Sequence, residues 1–166
     1  MSCERGRERG GSGARATMQR YLPMDGAERF YTMASGGLGW GMPAAVGVAL
    51  ARRQRGAAGR VIALIGDGSS MYSIQAIYTA AQLHLPVTFV ILNNRRYAAL
   101  QEFAPVFGYA SDETPAGTEL PDLDFVALAR GQGCDGVKVV HPAELADVLQ
   151  RGPRTDGPML VEVAIQ

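Results

Sequence analysis

Two short apolar runs, Val61–Ile65 and Val87–Leu92, constrain this chain more than any other feature. Both are rich in β-branched residues and bounded by turn formers, so each predicts a buried strand. Between them, Ser73 to His84 sets Ile74, Ile77, Tyr78, Ala81 and Leu85 near helical spacing, and Pro86 stops the helix. The unit is therefore strand–helix–strand. A right-handed crossover leaves its strands parallel and adjacent, with both carboxyl ends on one edge of the sheet. Open α/β sheets bind ligands at that edge. Gly66-Asp67-Gly68 ends the first strand and Asn93-Asn94 the second, so a carboxylate and a carboxamide distant in sequence are expected to meet.

The residue types at that point define its chemistry. Asp67, Asn94 and the backbone carbonyls just past Asn94 offer hard oxygens, with no thiol or imidazole. Such a set suits magnesium or calcium, not zinc or copper. One carboxylate is too little charge for an all-protein cage, whereas magnesium commonly completes its octahedron with waters and ligand phosphates. Glycines beside Asp67 permit close backbone approach, and a helix start near Ser69–Ser73 offers N–H groups to an anion. The prediction is a magnesium–diphosphate anchor. Either motif alone is an ordinary turn; their meeting on neighbouring strand ends is what makes a site.

Gly66-Asp67-Gly68, then 24 residues, then Asn93-Asn94 resembles the metal–diphosphate motif of thiamine-diphosphate-dependent enzymes. The wider text is similar to their benzoylformate decarboxylase branch: Gly-Asp-Gly-Ser-Ser-Met-Tyr-Ser-Ile-Gln-Ala-Ile-Tyr-Thr-Ala-Ala-Gln, then Asn-Asn-Arg-Arg-Tyr-Ala-Ala-Leu. The resemblance runs from about Met18 to the end, is most specific between Ala34 and Phe103, and covers only the diphosphate-binding domain.

It implies thiamine diphosphate and Mg2+ as cofactors, with Asp67, Asn94 and the Arg96 backbone carbonyl on the metal. It further implies Gly36, Gly37, Leu38, Gly66, Gly68, Ser69, Tyr72 and Tyr97 around the cofactor. Within that set, the Gly36 carbonyl and Leu38 amide would meet the aminopyrimidine, and the Leu38 side chain would wedge the cofactor into a bent form. Ala99, Leu100 and Phe103 would line the pocket for a 2-oxoacid. The family's activating glutamate lies in a separate pyrimidine-binding domain, usually of another subunit, and no stretch here resembles one. A catalytic residue is thus not assigned, and the chain is expected to be inactive alone and to associate with such a domain and with itself. An acetolactate synthase-like carboligase and a non-catalytic cofactor-binding fragment are the alternatives.

The glycine loop Ser35-Gly36-Gly37-Leu38-Gly39-Trp40-Gly41-Met42-Pro43-Ala44 admits a rival. Gly39 to Ala44 fits the dinucleotide pattern G-x-G-x-x-A. However, Asp67 follows Gly39 by 28 positions, whereas the ribose-binding acid of that motif follows by roughly 20. The rival also leaves Asn93-Asn94 idle.

Elsewhere, Phe30–Ala34, Val137–Val140 and Met159–Ile165 read as strands. Met18–Leu22, Ala44–Arg53, Arg95–Phe103, Asp122–Arg130 and Pro142–Gln150 read as helices, with Arg95–Phe103 standing over the site. His84 and His141, at element ends, read as structural. Alternating βα units with five strands predict an α/β fold. It is a doubly wound, mainly parallel sheet with helices on both faces, the thiamine-diphosphate-binding fold of the resembling family. One domain, 18–166, follows an Arg/Gly-rich tail, 1–17, that has four arginines, two glutamates and no apolar period, and reads as disordered. In the resembling enzymes a polar segment here reaches the diphosphate, and Ser12 and Thr17 are its weak counterparts. At zero net charge the chain has no broad electrostatic case for nucleic acid or acidic membranes. Cys3 and Cys134 lack metal or redox spacing, which fits a cytoplasmic setting.

Overall fold

The structure is a computed structural model that describes residues 18, 20–22, 29–33, 36–110, 112–152 and 156–165. The Arg/Gly-rich segment 1–17, with Ser12 and Thr17, lies outside them. The described residues fall into two compact units, 33–96 with 120–166 and 97–119 with the described part of 1–32.

The larger unit is built on four parallel strands, β1 (Val61–Gly66), β2 (Val87–Asn93), β3 (Asp135–Val139) and β4 (Met159–Ala164), in the order β1-β2-β4-β3. Its helices are α1 (Gly41–Gln54), α2 (Asp67–Met71) and α3 (Ala76–Gln82). The smaller unit holds α4 (Ala98–Phe103); α5 (Phe125–Gly131) and α6 (Pro142–Arg151) return to the larger one. Strand alternation sorts the core. Phe89, Ile91 and Leu160 point to one face and meet Met42 and Ala49 of α1, Ile77 and Ala80 of α3, and Phe125 and Ala129 of α5. Val90, Met159 and Val161 point to the other and meet Val148 of α6. Each large side chain so buried contributes about 1.5–3 kcal/mol.

The placement of α6 follows from handedness. From β1 through β2 to β3 the chain advances across the sheet, but from β3 to β4 it steps back. Crossovers of one hand must then pass over opposite faces. Small residues let α1 lie close: a Cβ on Gly41 would come 3.3 Å from Ile65 Cγ1. Helices α3 and α5 end alike. In each, a residue in the left-handed region (His84, Gly133) precedes an N–H that bonds five residues back, Leu85 to Ala80 and Cys134 to Ala129. Cys134 is buried, and burial pushes its thiol pKa up to about 12, so it is an inert core residue.

In the smaller unit, α4 runs into a 3-10 turn, Ala104–Phe107, that stops at left-handed Gly108. The Tyr97 N–H donates to the Thr118 carbonyl and the Gln101 side chain to the Thr118 hydroxyl.

Several expectations need correction. The sheet has four strands among the described residues, not five: Phe30–Met33 is irregular, and Tyr31 is exposed. Aromatic and β-branched residues suit a strand only where a neighbour supplies ladder bonds. The helix expected over Ser73–His84 is shorter, α3 alone, and turns at 72–75 separate it from the preceding α2. Its buried side is therefore offset, with Ala80 inside and Tyr78 55% exposed. The helix expected from Arg95 starts at Ala98, and the one expected from Asp122 starts at Phe125, where the Asp124 carboxylate accepts from the Ala127 N–H. Among the described residues, no helix is long and apolar enough to cross a membrane.

Candidate functional site

β1 and β2 pair in register to their ends, Ile65 beside Ile91 and Gly66 beside Leu92. Asp67, just past β1, therefore stands beside Asn93, the last residue of β2, which still pairs with Ala164 of β4. Asp67 opens α2 and is 3% exposed. Its Oδ1 accepts from the Gly68 N–H at 2.8 Å and its Oδ2 from the Arg96 N–H at 3.2 Å. The Ser70 hydroxyl holds its carbonyl at 2.6 Å. Burial raises the Asp67 pKa, because a charged carboxylate loses hydration there, and the N–H groups of Gly68, Arg95, Arg96 and Asn94 offset part of that rise. An ionised Asp67 is thus a charge in need of a cation.

The turn after β2 aims at the same point. Buried Asn93 is held three ways: its carbonyl accepts from the Ile165 N–H (3.0 Å), its Oδ1 from the Arg95 N–H (3.0 Å), and its Nδ2 donates to Glu162 Oε1 (2.9 Å). Arg95 takes a left-handed backbone (φ 60°), and its carbonyl accepts from the Leu120 N–H. That reversal points the Arg96 N–H back toward β1. Both Asp67 Oδ2 and Asn94 Oδ1, the latter at 3.3 Å, face this single donor. The shared donor holds two hard oxygens close together, and a donor set of that chemistry is one that magnesium takes. No group of three or more His, Cys, Asp or Glu stands together among the described residues, so such an ion would need ligand oxygens to complete its shell.

The glycine loop is pinned to α2. The Gly39 N–H donates to Ser69 Oγ (3.1 Å), and the Ser73 hydroxyl donates to the Gly39 carbonyl (2.6 Å). Gly39 has φ 86°, and a Cβ there would lie 2.6 Å from Tyr72 Cβ. Leu38, Trp40 and Tyr72 are consequently exposed around this junction, with Leu38 at 43%, so Leu38 is no core leucine.

The fold thus gathers Gly66, Asp67, Gly68, Ser69, Tyr72, Asn94 and Arg96, and the loop of Gly36, Gly37 and Leu38, onto one edge. Tyr97, Ala99, Leu100 and Phe103 belong to the smaller unit, as the cap and one exposed side of α4, whose residues include none that is buried. The helix start expected near Ser69–Ser73 lies at Asp67 instead and lasts five residues. Three participants were not singled out from sequence: Ser73, Glu162 and Lys138. A lone glutamate within Met-Leu-Val-Glu-Val was a visible signal, since a charge in a buried strand needs a partner.

Residues 11–163 match the family described as "Thiamine pyrophosphate enzyme, C-terminal TPP binding domain". Benzoylformate decarboxylase of Pseudomonas aeruginosa is 42% identical over 139 residues, covering 82% of this chain and 25% of that protein. Acetolactate synthase isozyme 3 large subunit of Escherichia coli is 36% identical over 132 residues, covering 78% and 22%. The crystal structure of benzoylformate decarboxylase from Polynucleobacter necessarius superposes with a TM-score of 0.82 at 36% identity, over 91% of this chain and 28% of that one. The chain therefore spans about a quarter of the length of the curated relatives it matches. With the matched residues taking in the glycine loop, Asp67 and the Asn93–Arg96 turn, this chain belongs to the thiamine pyrophosphate enzymes and carries their C-terminal TPP-binding domain.

Proposed function

We propose that this domain supplies the magnesium- and diphosphate-binding half of a 2-oxoacid decarboxylase site resembling that of benzoylformate decarboxylases. One observation carries the metal: Asp67 Oδ2 and Asn94 Oδ1 face the same Arg96 N–H from two neighbouring strand ends. Asp67 brings the charge, Asn94 a neutral oxygen, and the Arg96 carbonyl a third ligand. When bound, thiamine diphosphate supplies the electron sink for loss of carbon dioxide from a 2-oxoacid. The chain's own part is to hold the diphosphate through the metal and to place the glycine loop, Gly36 to Leu38, against the aminopyrimidine. The cofactor's activating glutamate comes from a pyrimidine-binding domain.

Exposed Leu38, Trp40 and Tyr72 support a covering partner, because apolar surface gathered beside a ligand site is what a docked domain buries. Self-association into an oligomer fits the same surface, and the absence of redox spacing between Cys3 and Cys134 is the ground for a cytoplasmic setting. A carboligase of the acetolactate synthase kind would use the same anchor, and the 36% identity to the Escherichia coli enzyme keeps it as the second reading. The 42% identity to a benzoylformate decarboxylase favours decarboxylation.

Carbon dioxide release from benzoylformate tests this reading. The purified chain with thiamine diphosphate and magnesium is expected to release none, and addition of a pyrimidine-binding domain from a close relative is expected to restore turnover. Release by the chain alone, lost in Asp67→Ala, would mean that a carboxylate of this chain activates the cofactor. Acetolactate formation from pyruvate by the reconstituted pair would favour the carboligase.

A further inference from the structure

We propose that Glu162 is a positioning residue for the metal-binding turn, acting through Asn93 and anchored by Lys138. The proposal rests on the metal reading above. Glu162 lies in β4, in register with Ile91 on one side and Lys138 on the other. It shares the sheet face of Phe89 and Leu160 and is 1% exposed. Oε1 carries both of its contacts, Lys138 Nζ at 2.7 Å and Asn93 Nδ2 at 2.9 Å, while Oε2 has no hydrogen-bond partner.

A carboxylate with one oxygen unpartnered is a poor device for stability alone. Well-packed apolar residues of similar volume commonly replace buried ion pairs without loss, and the Glu162 half of this one is buried while Lys138 is 47% exposed. An apolar residue could not, however, accept from Asn93. With Nδ2 drawn to Glu162, the Asn93 amide must present Oδ1 to the Arg95 N–H. That bond secures the left-handed Arg95 and so the direction of the Arg96 N–H, which meets Asp67 Oδ2 and Asn94 Oδ1. The sequence Lys138, Glu162, Asn93, Arg95, Arg96, Asp67 is thus a continuous set of polar contacts. It ties the middle of the sheet to the two oxygens assigned to the metal.

The test separates positioning from stability. Thermal melting and calorimetric magnesium titration, at a fixed concentration of thiamine diphosphate, are made on the wild type, a Glu162→Met/Lys138→Met double variant and Glu162→Gln. The double variant replaces the ion pair with apolar bulk but leaves the buried Asn93 Nδ2 unpaired, so it is expected to stay folded and to melt at or a few degrees below the wild-type temperature. Its magnesium midpoint is nonetheless expected to rise about three- to tenfold, short of the roughly 10–100-fold for a group bonded directly to a metal ligand, because Glu162 acts through Asn93. Glu162→Gln keeps an oxygen for Asn93 and is expected to titrate near the wild type. A double variant that folds and binds magnesium as the wild type does overturns the proposal. If it does not fold, Asn93→Ala, which leaves Glu162 and Lys138 paired, carries the test: a raised midpoint supports the proposal and an unmoved one overturns it. A wild type that binds thiamine diphosphate equally with and without magnesium overturns the underlying metal reading, and is distinguished by the wild-type arm alone.

Discussion

Asp67→Ala should abolish magnesium-dependent binding of thiamine diphosphate while leaving the sheet folded. Asp67 is the one carboxylate facing the Arg96 amide, and the other side-chain oxygen there, Asn94 Oδ1, is neutral. Without it no negative charge balances a divalent ion at this edge. Loss of an outer-sphere partner alone costs about 10–100-fold in metal affinity, so loss of the charged ligand should exceed that range. Asp67→Asn should fail nearly as badly, because it preserves shape but not charge. Asn94→Ala should weaken binding less. The fold should persist, since burial disfavours the charged carboxylate and its removal relieves that cost. Calorimetry on the variants decides; an unchanged affinity in Asp67→Ala would remove the anchor from this account.

Gly39→Ala should be the most damaging single substitution of the glycine loop. Its φ of 86° lies where a Cβ is crowded by its own backbone, and the new atom would stand 2.6 Å from Tyr72 Cβ. The dihedral alone costs roughly 1–2 kcal/mol. The collision adds to it, because Tyr72 Cβ is fixed to the chain and cannot rotate aside. Relief requires the loop to leave α2, breaking the bonds to Ser69 and Ser73. A total of about 3 kcal/mol would lower the melting temperature by roughly 10 °C in a chain of this size. Gly36→Ala is the matched control, with φ 67° but open space at Cβ, and should show the dihedral cost alone. A Gly39→Ala melting temperature within a degree or two of the wild type would mean that the loop is not pinned.

The anchor was legible in the sequence because its parts sit at the ends of two unmistakable strands. Val61–Ile65 and Val87–Leu92 are apolar and β-branched enough to pair as neighbouring strands, so Asp67 and Asn94 had to emerge together. Even so, β1 is an edge strand among the described residues, with Ile62 62% exposed, and is not buried throughout as expected. What was not legible depends on partners. Phe30–Ala34 has strand-forming residues, but the described Phe30–Met33 lack a neighbouring ladder. Tyr78 stands at a helical interval from Ile74, but the chain breaks at 72–75 and turns that side outward. Glu162 and Lys138 read as interruptions of apolar strands. Only the register that sets them beside each other, and beside Asn93, gives them a common purpose.

A calorimetric titration of the wild-type chain with thiamine diphosphate, with magnesium and with excess chelator, and a matched titration with thiamine, measures the metal–diphosphate anchor itself. Saturable binding of thiamine diphosphate in magnesium is the expected result, lost in chelator and lost for thiamine, because Asp67 and Asn94 would hold the magnesium that takes the diphosphate. Binding that survives chelation, or that thiamine reproduces, would contradict it.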